Sequence, residues 1–238
     1  MNLPMEVLLV AGVLALYLQD ATLLLHYDEV AMVRGRRWRA TTGSALEFRG
    51  RRLFLPDPLR PADAMFRVTW LGNGEGQARE HWAGLGHFIA ALSALKPACW
   101  LLWALQLLVL PALLWRFAHP LALLALAALI YGTCLVVAMQ LWRYRRAYEL
   151  DRRQALTMGF ELLCCPPHAI NVVRRLSLRR GLHGNAMDVA RHLLDADEVA
   201  GIGTRIGQRL DYAMDFAGDG APLEQRLLDA KQRLETLK

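Results

Sequence analysis

Lysine is scarce in this 238-residue chain: Lys96, Lys231 and Lys238 are the only ones, so almost all positive charge is arginine. With the abundance of alanine and leucine, that bias points to a GC-rich bacterial genome. Cysteine is scarce too, with four residues. Cys99 and Cys134 sit inside apolar runs, Cys164 and Cys165 are adjacent, and none has zinc-type spacing. Adjacent cysteines bridge poorly and a cytoplasmic pair stays reduced, so neither a structural disulfide nor a metal centre is expected. No cofactor is expected either; Cys165-Pro166 matches a haem-regulatory dipeptide over two residues only, which carries almost no information.

Chemical signatures are missing as well. The chain has no His-Glu-x-x-His, no Gly-x-Ser-x-Gly and no paired-aspartate metal motif. Its seven histidines include no pair at i, i+4. Gly72-Asn-Gly-Glu-Gly76 is too irregular for a dinucleotide or phosphate loop, because no Gly-Lys-Ser/Thr follows. The arginines flank apolar runs and lack the interleaved aromatics of a nucleic-acid platform, which argues against DNA or RNA as a partner. There is no internal repeat and no low-complexity tract.

What is present is apolar length. Residues 98–115 and 121–142 carry no charge, and only Arg116 to Pro120 separate them. At ~1.5 Å rise per residue each run can cross a ~30 Å hydrocarbon core. The short connection demands an antiparallel hairpin, with Pro120 in the first turn of the returning helix, where its missing N–H costs little. A third run, Val7 to Leu25, is interrupted by Gln19-Asp20. It lacks a basic n-region and its core is too long for a secretory signal, so it reads as a retained helix. Basic residues accumulate on cytoplasmic flanks. Arg143, Arg145, Arg146, Arg152 and Arg153 follow the hairpin and Arg34, Arg36, Arg37 and Arg39 follow the first run. These flanks put the N-terminus and the hairpin turn outside, and the bulk of the water-exposed parts inside, a bacterial inner membrane.

The expected fold is an integral membrane α-helical protein with three transmembrane helices, a small juxtamembrane antiparallel β-sheet and an α-helical cytoplasmic C-terminal region. Residues 1–27 form the first membrane helix. Residues 28–71, with short alternating runs at 29–33, 45–48, 52–55 and 65–70, form the β-rich part, turned by Arg49-Gly50-Arg51 and looped at Pro56-Asp57-Pro58. Residues 72–97 are a linker and an interfacial helix with Trp82, Leu85, Ile89 and Leu92 at helical spacing. After the hairpin, 98–142, comes a basic region, 143–184, in which the second span continues as helix to about Leu163. There Pro166-Pro167 break it, and a surface helix follows with Ala169, Ile170, Val173 and Leu176 on one face and arginines on the other. That segment could instead dip into the bilayer as a re-entrant element. Residues 185–238 form the tail: Asn185 caps one helix, Asp195 to Glu198 has capping-box spacing for the next, and Pro222 opens the last after Gly218-Asp-Gly220. The tail holds seven basic and ten acidic residues, net −3 against a basic remainder.

Asp20 is the most informative single residue, since a carboxylate within a membrane run is costly and is paired or functional. Its leaflet holds Lys96, Gln140 and Arg143, which together make an intramembrane polar cluster. Arg36, Arg37, Arg145, Arg146, Arg174 and Arg175 are candidates for anionic lipid headgroups. Leu223, Leu227, Leu234 and Leu237 follow heptad spacing and are candidates for binding a protein partner or a second copy of the chain. The function that fits is a non-catalytic inner-membrane subunit or adaptor that anchors or scaffolds a protein complex at the cytoplasmic face. Two alternatives stand beside it: a membrane enzyme acting on lipid or lipid-linked substrate, which needs Asp20, His26, His87, Glu161 and His168 to converge, and a subunit of an oligomeric transporter or channel.

Overall fold

The computed structural model describes residues 4–49, 51–69, 75–116, 119–182, 186–216 and 222–236. The chain is mostly helical with small antiparallel strands, and it divides into two compact units.

Unit 1 comprises Met1–Thr22, Pro56–Ala64 and Ala83–Arg180. Helix α1 (Met5–Ala21) ends four residues before the apolar run does. α2 (Glu75–Ser93) buries Leu85, Phe88 and Leu92. Then α3 (Lys96–Ala104), a π-helical turn (Leu105–Val109) and α4 (Leu110–Arg116) form the first arm of the hairpin, and α5 (Pro120–Arg143) the second. The π turn ends just before Pro111, whose missing N–H breaks the regular ladder. Gln106 in that turn is buried and donates to the Pro166 carbonyl at 3.2 Å.

Two helices are long and apolar enough to cross a membrane: Gly84–Arg116 and Pro120–Arg143. Only 22% and 17% of their most apolar windows are buried within the protein. A helix at the core of a water-soluble protein would be mostly covered, whereas these leave Leu101, Leu108, Leu124, Leu129, Leu135 and Met139 exposed. Trp115 at one end of the hairpin is 91% exposed, and Trp142 and Tyr144 are exposed at the other, the positions where aromatic rings favour headgroup level.

The helix after the second arm does not continue to Leu163. Residues 144–149 form turns, with Glu149 in the left-handed region at φ 54°, and α6 (Arg152–Cys164) starts afresh. A capping box makes the break: Asp151 Oδ1 accepts from the Gln154 N–H at 2.7 Å, and the Gln154 side chain accepts from the Asp151 N–H at 3.1 Å. α6 then packs along α5. Gly159 permits the approach, since a Cβ there would sit 3.3 Å from the Ala138 Cβ. α7 (Pro166–Ile170) packs on α1, α3, α5 and α6, and α8 (Val172–Arg180) returns. The expected surface helix over 168–180 is therefore the centre of the unit: Ala169, Ile170, Asn171, Val172, Val173 and Arg174 are all fully buried. An amphipathic pattern specifies faces, not what covers them.

Tyr148, in the turns after α5, is 2% exposed and donates to the Ala91 carbonyl at 3.3 Å. Burial pushes its phenol up to about 12. Unfolding would return it to the ordinary value near 10, so the folded state holds the proton more tightly and Tyr148 stabilises fully below about pH 10. That contribution is lost as pH rises from about 10 through about 12, roughly 2 kcal/mol over the interval. The melting temperature of wild type should therefore fall more steeply than that of Tyr148→Phe over this range. Parallel curves for the two proteins would contradict it.

Unit 2 comprises Leu23–Leu55, Met65–Trp82 and Gly181–Lys238. It holds two three-stranded sheets in place of the single one expected. One has the order β1-β5-β4, from β1 (Leu23–Leu25), β4 (Glu47–Phe48) and β5 (Arg51–Phe54); the other has β3-β2-β6, from β2 (Glu29–Arg34), β3 (Trp38–Thr41) and β6 (Ala64–Thr69). The Leu23–Leu25 end of the first apolar run is thus a strand, antiparallel to β5, with Leu24 opposite Leu53. The β4–β5 hairpin pairs Phe48 with Arg51, and Arg49 takes the left-handed turn conformation at φ 52°. Val30, Ala31, Met32, Met65, Phe66 and Val68 form the apolar centre.

The tail helices are α9 (Ala186–Leu193), α10 (Ala196–Phe216) and α11 (Pro222–Thr236). The boundaries at Asp195 and Pro222 match the capping and proline signals. The Asn185 cap, Gly72 to Gly74, Gly218-Asp-Gly220 and Leu237 lie outside the described residues, as do the side chains of Trp82 and Leu223. α10 is fixed to the strands by Arg209, which is 4% exposed. Its guanidinium donates to the carbonyls of His26 at 2.7 Å, Glu29 at 3.1 Å and Leu25 at 3.4 Å. Burial, with Arg52 nearby, brings the Arg209 pKa down to about 10, leaving it charged at neutral pH.

Candidate functional site

A cluster of polar groups in unit 1 lies where α1, α6, α7 and α8 meet. Asn171 and Arg174 supply its structural half. Asn171 Nδ2 donates to the Tyr17 carbonyl at 2.9 Å, tying α8 to α1. Arg174 is wholly buried, and its guanidinium donates to the carbonyls of Arg60 at 2.7 Å and Asp57 at 2.8 Å and to Asn171 Oδ1 at 3.1 Å. The Pro56–Ala64 loop is held further by Tyr17 Oη and Trp103 Nε1, both donating to the Pro58 carbonyl, at 2.7 and 3.1 Å. Arg174 is accordingly a strut for this loop and not a headgroup ligand, although its spacing placed it on the basic face.

Arg175, the next residue, is the charged half. It donates to Glu161 on α6 and lies 3.8 Å from Asp20 on α1. His168 on α7 belongs to the same electrostatic neighbourhood as Asp20. Two carboxylates thus share one guanidinium, with Asp20 and Arg175 about four-fifths buried and Glu161 more open. At such burial a carboxylate is tolerated only with a counter-charge.

Asp20 therefore has a charged partner, but it is Arg175. Among the described residues no hydrogen bond or ion pair joins Asp20 to Lys96, Gln140 or Arg143. Gln140 keeps its Oε1 buried and without a hydrogen-bond partner. Arg143 is exposed over the Tyr144 ring, at 5.6 Å. Of the headgroup candidates, Arg36, Arg37 and Arg146 are exposed, and Arg145 lies over the Trp142 ring at 5.1 Å. Leu227 and Leu234 are buried at 0% and 2% exposure in α11, which packs on α10, so their heptad stripe is covered by the tail itself.

Of the five polar residues that a lipid-acting enzyme would bring together, Asp20 and Glu161 meet at Arg175, and His168 lies within electrostatic range of Asp20. His26 pairs instead with Asp28 at 2.9 Å in unit 2, and His87 is an exposed residue of α2. No group of three or more His, Cys, Asp or Glu among the described residues is arranged to hold a metal ion. Sequence reasoning missed Arg175 as the partner of Asp20, and depth in the membrane could not have supplied it, because a leaflet fixes height along a helix but not which neighbour it faces.

Replacing Asp20 tests the pairing. Asp20→Ala should lower the melting temperature in detergent by the equivalent of about 1–3 kcal/mol, and Asp20→Asn by less, because an amide of the same shape fills the site while Glu161 supplies the counter-charge to Arg175. Wild-type melting of Asp20→Ala would contradict the pairing. The chain matches no known family model, no curated protein and no solved structure.

Proposed function

We propose that this protein is a non-catalytic subunit of the bacterial inner membrane, with α1, the α3–α4 arm and α5 as three spans and with unit 2 holding a partner protein at the cytoplasmic face. The observation that carries the membrane half is the exposed apolar surface of Gly84–Arg116 and Pro120–Arg143, whose most apolar windows are only 22% and 17% buried among the described residues. Adding α1 as a third span rests on its contacts with α4 and the π turn and on its own exposed Val7, Leu8, Leu9 and Leu14. The non-catalytic half is supported by how the buried charges are used: Arg174, Arg175 and Arg209 hold carbonyls and carboxylates of their own units.

A second reading is favoured by one arrangement. Asp20 and Glu161 meet at an arginine with His168 in electrostatic range of Asp20, which suits a membrane enzyme acting on a lipid or lipid-linked phosphate. Native mass spectrometry of the full chain, released from its own membrane in mild detergent, separates the two. A stoichiometric complex with another protein, unchanged in Glu161→Gln and His168→Ala, is the expected result. A bare monomer or homo-oligomer would overturn the adaptor reading.

A further inference from the structure

α6 and α8 enclose a cleft of about 230 Å³, a volume suited to a small polar group. Its wall carries Arg153, Gln154 and Thr157 from α6 and Arg175 and Arg179 from α8, with Glu161 beside Arg175. Three arginines and one carboxylate therefore line the cleft, with Asp20 as a second carboxylate 3.8 Å from Arg175. Arg175 is occupied by Glu161 and Asp20, yet its Nη1 is buried without a hydrogen-bond partner among the described residues. Arg153 and Arg179 are exposed and have no ion-pair partner there at all. Gln154 uses its side-chain oxygen in the capping box, which leaves its amide NH2 as a donor, and Thr157 adds a hydroxyl.

Guanidinium forks with neutral donors between them match the tetrahedral oxygens of a phosphate ester. The outer face of α6 indicates where that phosphate comes from. Leu156 and Phe160 precede Thr157 and Glu161 by one residue, about 100° round the helix, and are 61% and 68% exposed. Apolar surface thus lies alongside a basic cleft on a single helix.

We propose that this cleft binds the phosphate of an anionic phospholipid, with the acyl chains lying along Leu156 and Phe160. The proposal rests on the membrane reading above and adds a ligand to it. Arg153 and Arg179 supply the unneutralised charge, while Asp20 and Glu161 hold Arg175 in place at the wall.

The test uses the purified full chain in phosphatidylcholine nanodiscs with and without phosphatidylglycerol, followed by thermal melting and by native mass spectrometry of retained lipid. Phosphatidylglycerol should raise the melting temperature and be retained. The double variant Arg153→Gln/Arg179→Gln should melt as wild type in phosphatidylcholine alone and need about tenfold more phosphatidylglycerol for the same rise. Arg36→Gln/Arg37→Gln should behave as wild type. An equal response to inorganic phosphate would assign the cleft to a free phosphate and overturn the lipid source. Unchanged lipid dependence in the Arg153/Arg179 variant, or loss of it in the Arg36/Arg37 variant, would overturn the cleft. Release of the chain from membranes by alkaline carbonate would overturn the membrane reading itself, which the other outcomes leave intact.

Discussion

Arg174→Ala should be the most damaging single substitution in unit 1, lowering stability by about 2–5 kcal/mol, the range for emptying a large buried site, with the lost hydrogen bonds included. The side chain is wholly buried, and its guanidinium satisfies two loop carbonyls and the Asn171 side chain. Truncation opens a cavity at the centre of the unit and removes three charge-assisted hydrogen bonds: Asn171 Oδ1 loses Arg174 as its donor, while the Asp57 and Arg60 carbonyls keep only the Arg60 and Asp63 N–H groups. Arg174→Lys should recover only part of the loss, because an ammonium keeps the charge but cannot fork between the Asp57 and Arg60 carbonyls. The Pro56–Ala64 loop should become protease-sensitive in both variants. Melting of Arg174→Ala in detergent at the wild-type temperature would show that the clamp contributes nothing.

The tail gives the second large effect. Leu227→Ala and Leu234→Ala should each destabilise unit 2 by about 2–5 kcal/mol, the range for emptying a buried leucine site. Both are buried in α11, where Leu234 approaches the Gly207 position of α10 and Lys231 bonds Asp211 at 2.7 Å. Were the leucine stripe free to bind a partner, Pro222–Lys238 could be deleted with little loss of stability. With Leu227, Ala230 and Leu234 covered, deletion should instead uncover Ile206 and Leu210 and make α10 a protease target. Leu228, which is 49% exposed, is the control, and Leu228→Ala should shift melting by no more than about 0.5 kcal/mol. If the deletion leaves α10 resistant to protease, α11 is a docking element after all.

These two cases also mark what can be read from a single chain. The hairpin arms were legible at Ala98 to Trp115 and Leu121 to Trp142 because uncharged runs of that length have few other uses. The Asp195 and Pro222 helix starts were legible because capping and proline chemistry is local. The Asp151-Arg-Arg-Gln154 capping box was equally local, and reading it would have broken the helix after α5 in the right place. Leu23–Leu25 could not be separated from the helix before it, since three leucines suit either state and only pairing with β5 decides. The candidate site was half legible. Asp20 stood out by its cost, and Glu161 and His168 were named, but Arg174 and Arg175 differ by one position and have opposite fates. The Asp57 and Arg60 carbonyls that enclose Arg174 lie more than a hundred residues away in sequence.

The most direct measurement of the central claim, three spans with the strands and tail inside, is cysteine accessibility in intact cells. A chain with its four cysteines replaced by alanine would carry one new cysteine in place of Pro4, His119 or Thr236. The Pro4 and His119 positions should react with a membrane-impermeant maleimide from outside, and the Thr236 position should react only after lysis. A Pro4 position that reacts only after lysis would remove α1 from the spans, and a Thr236 position that reacts in intact cells would contradict the orientation altogether.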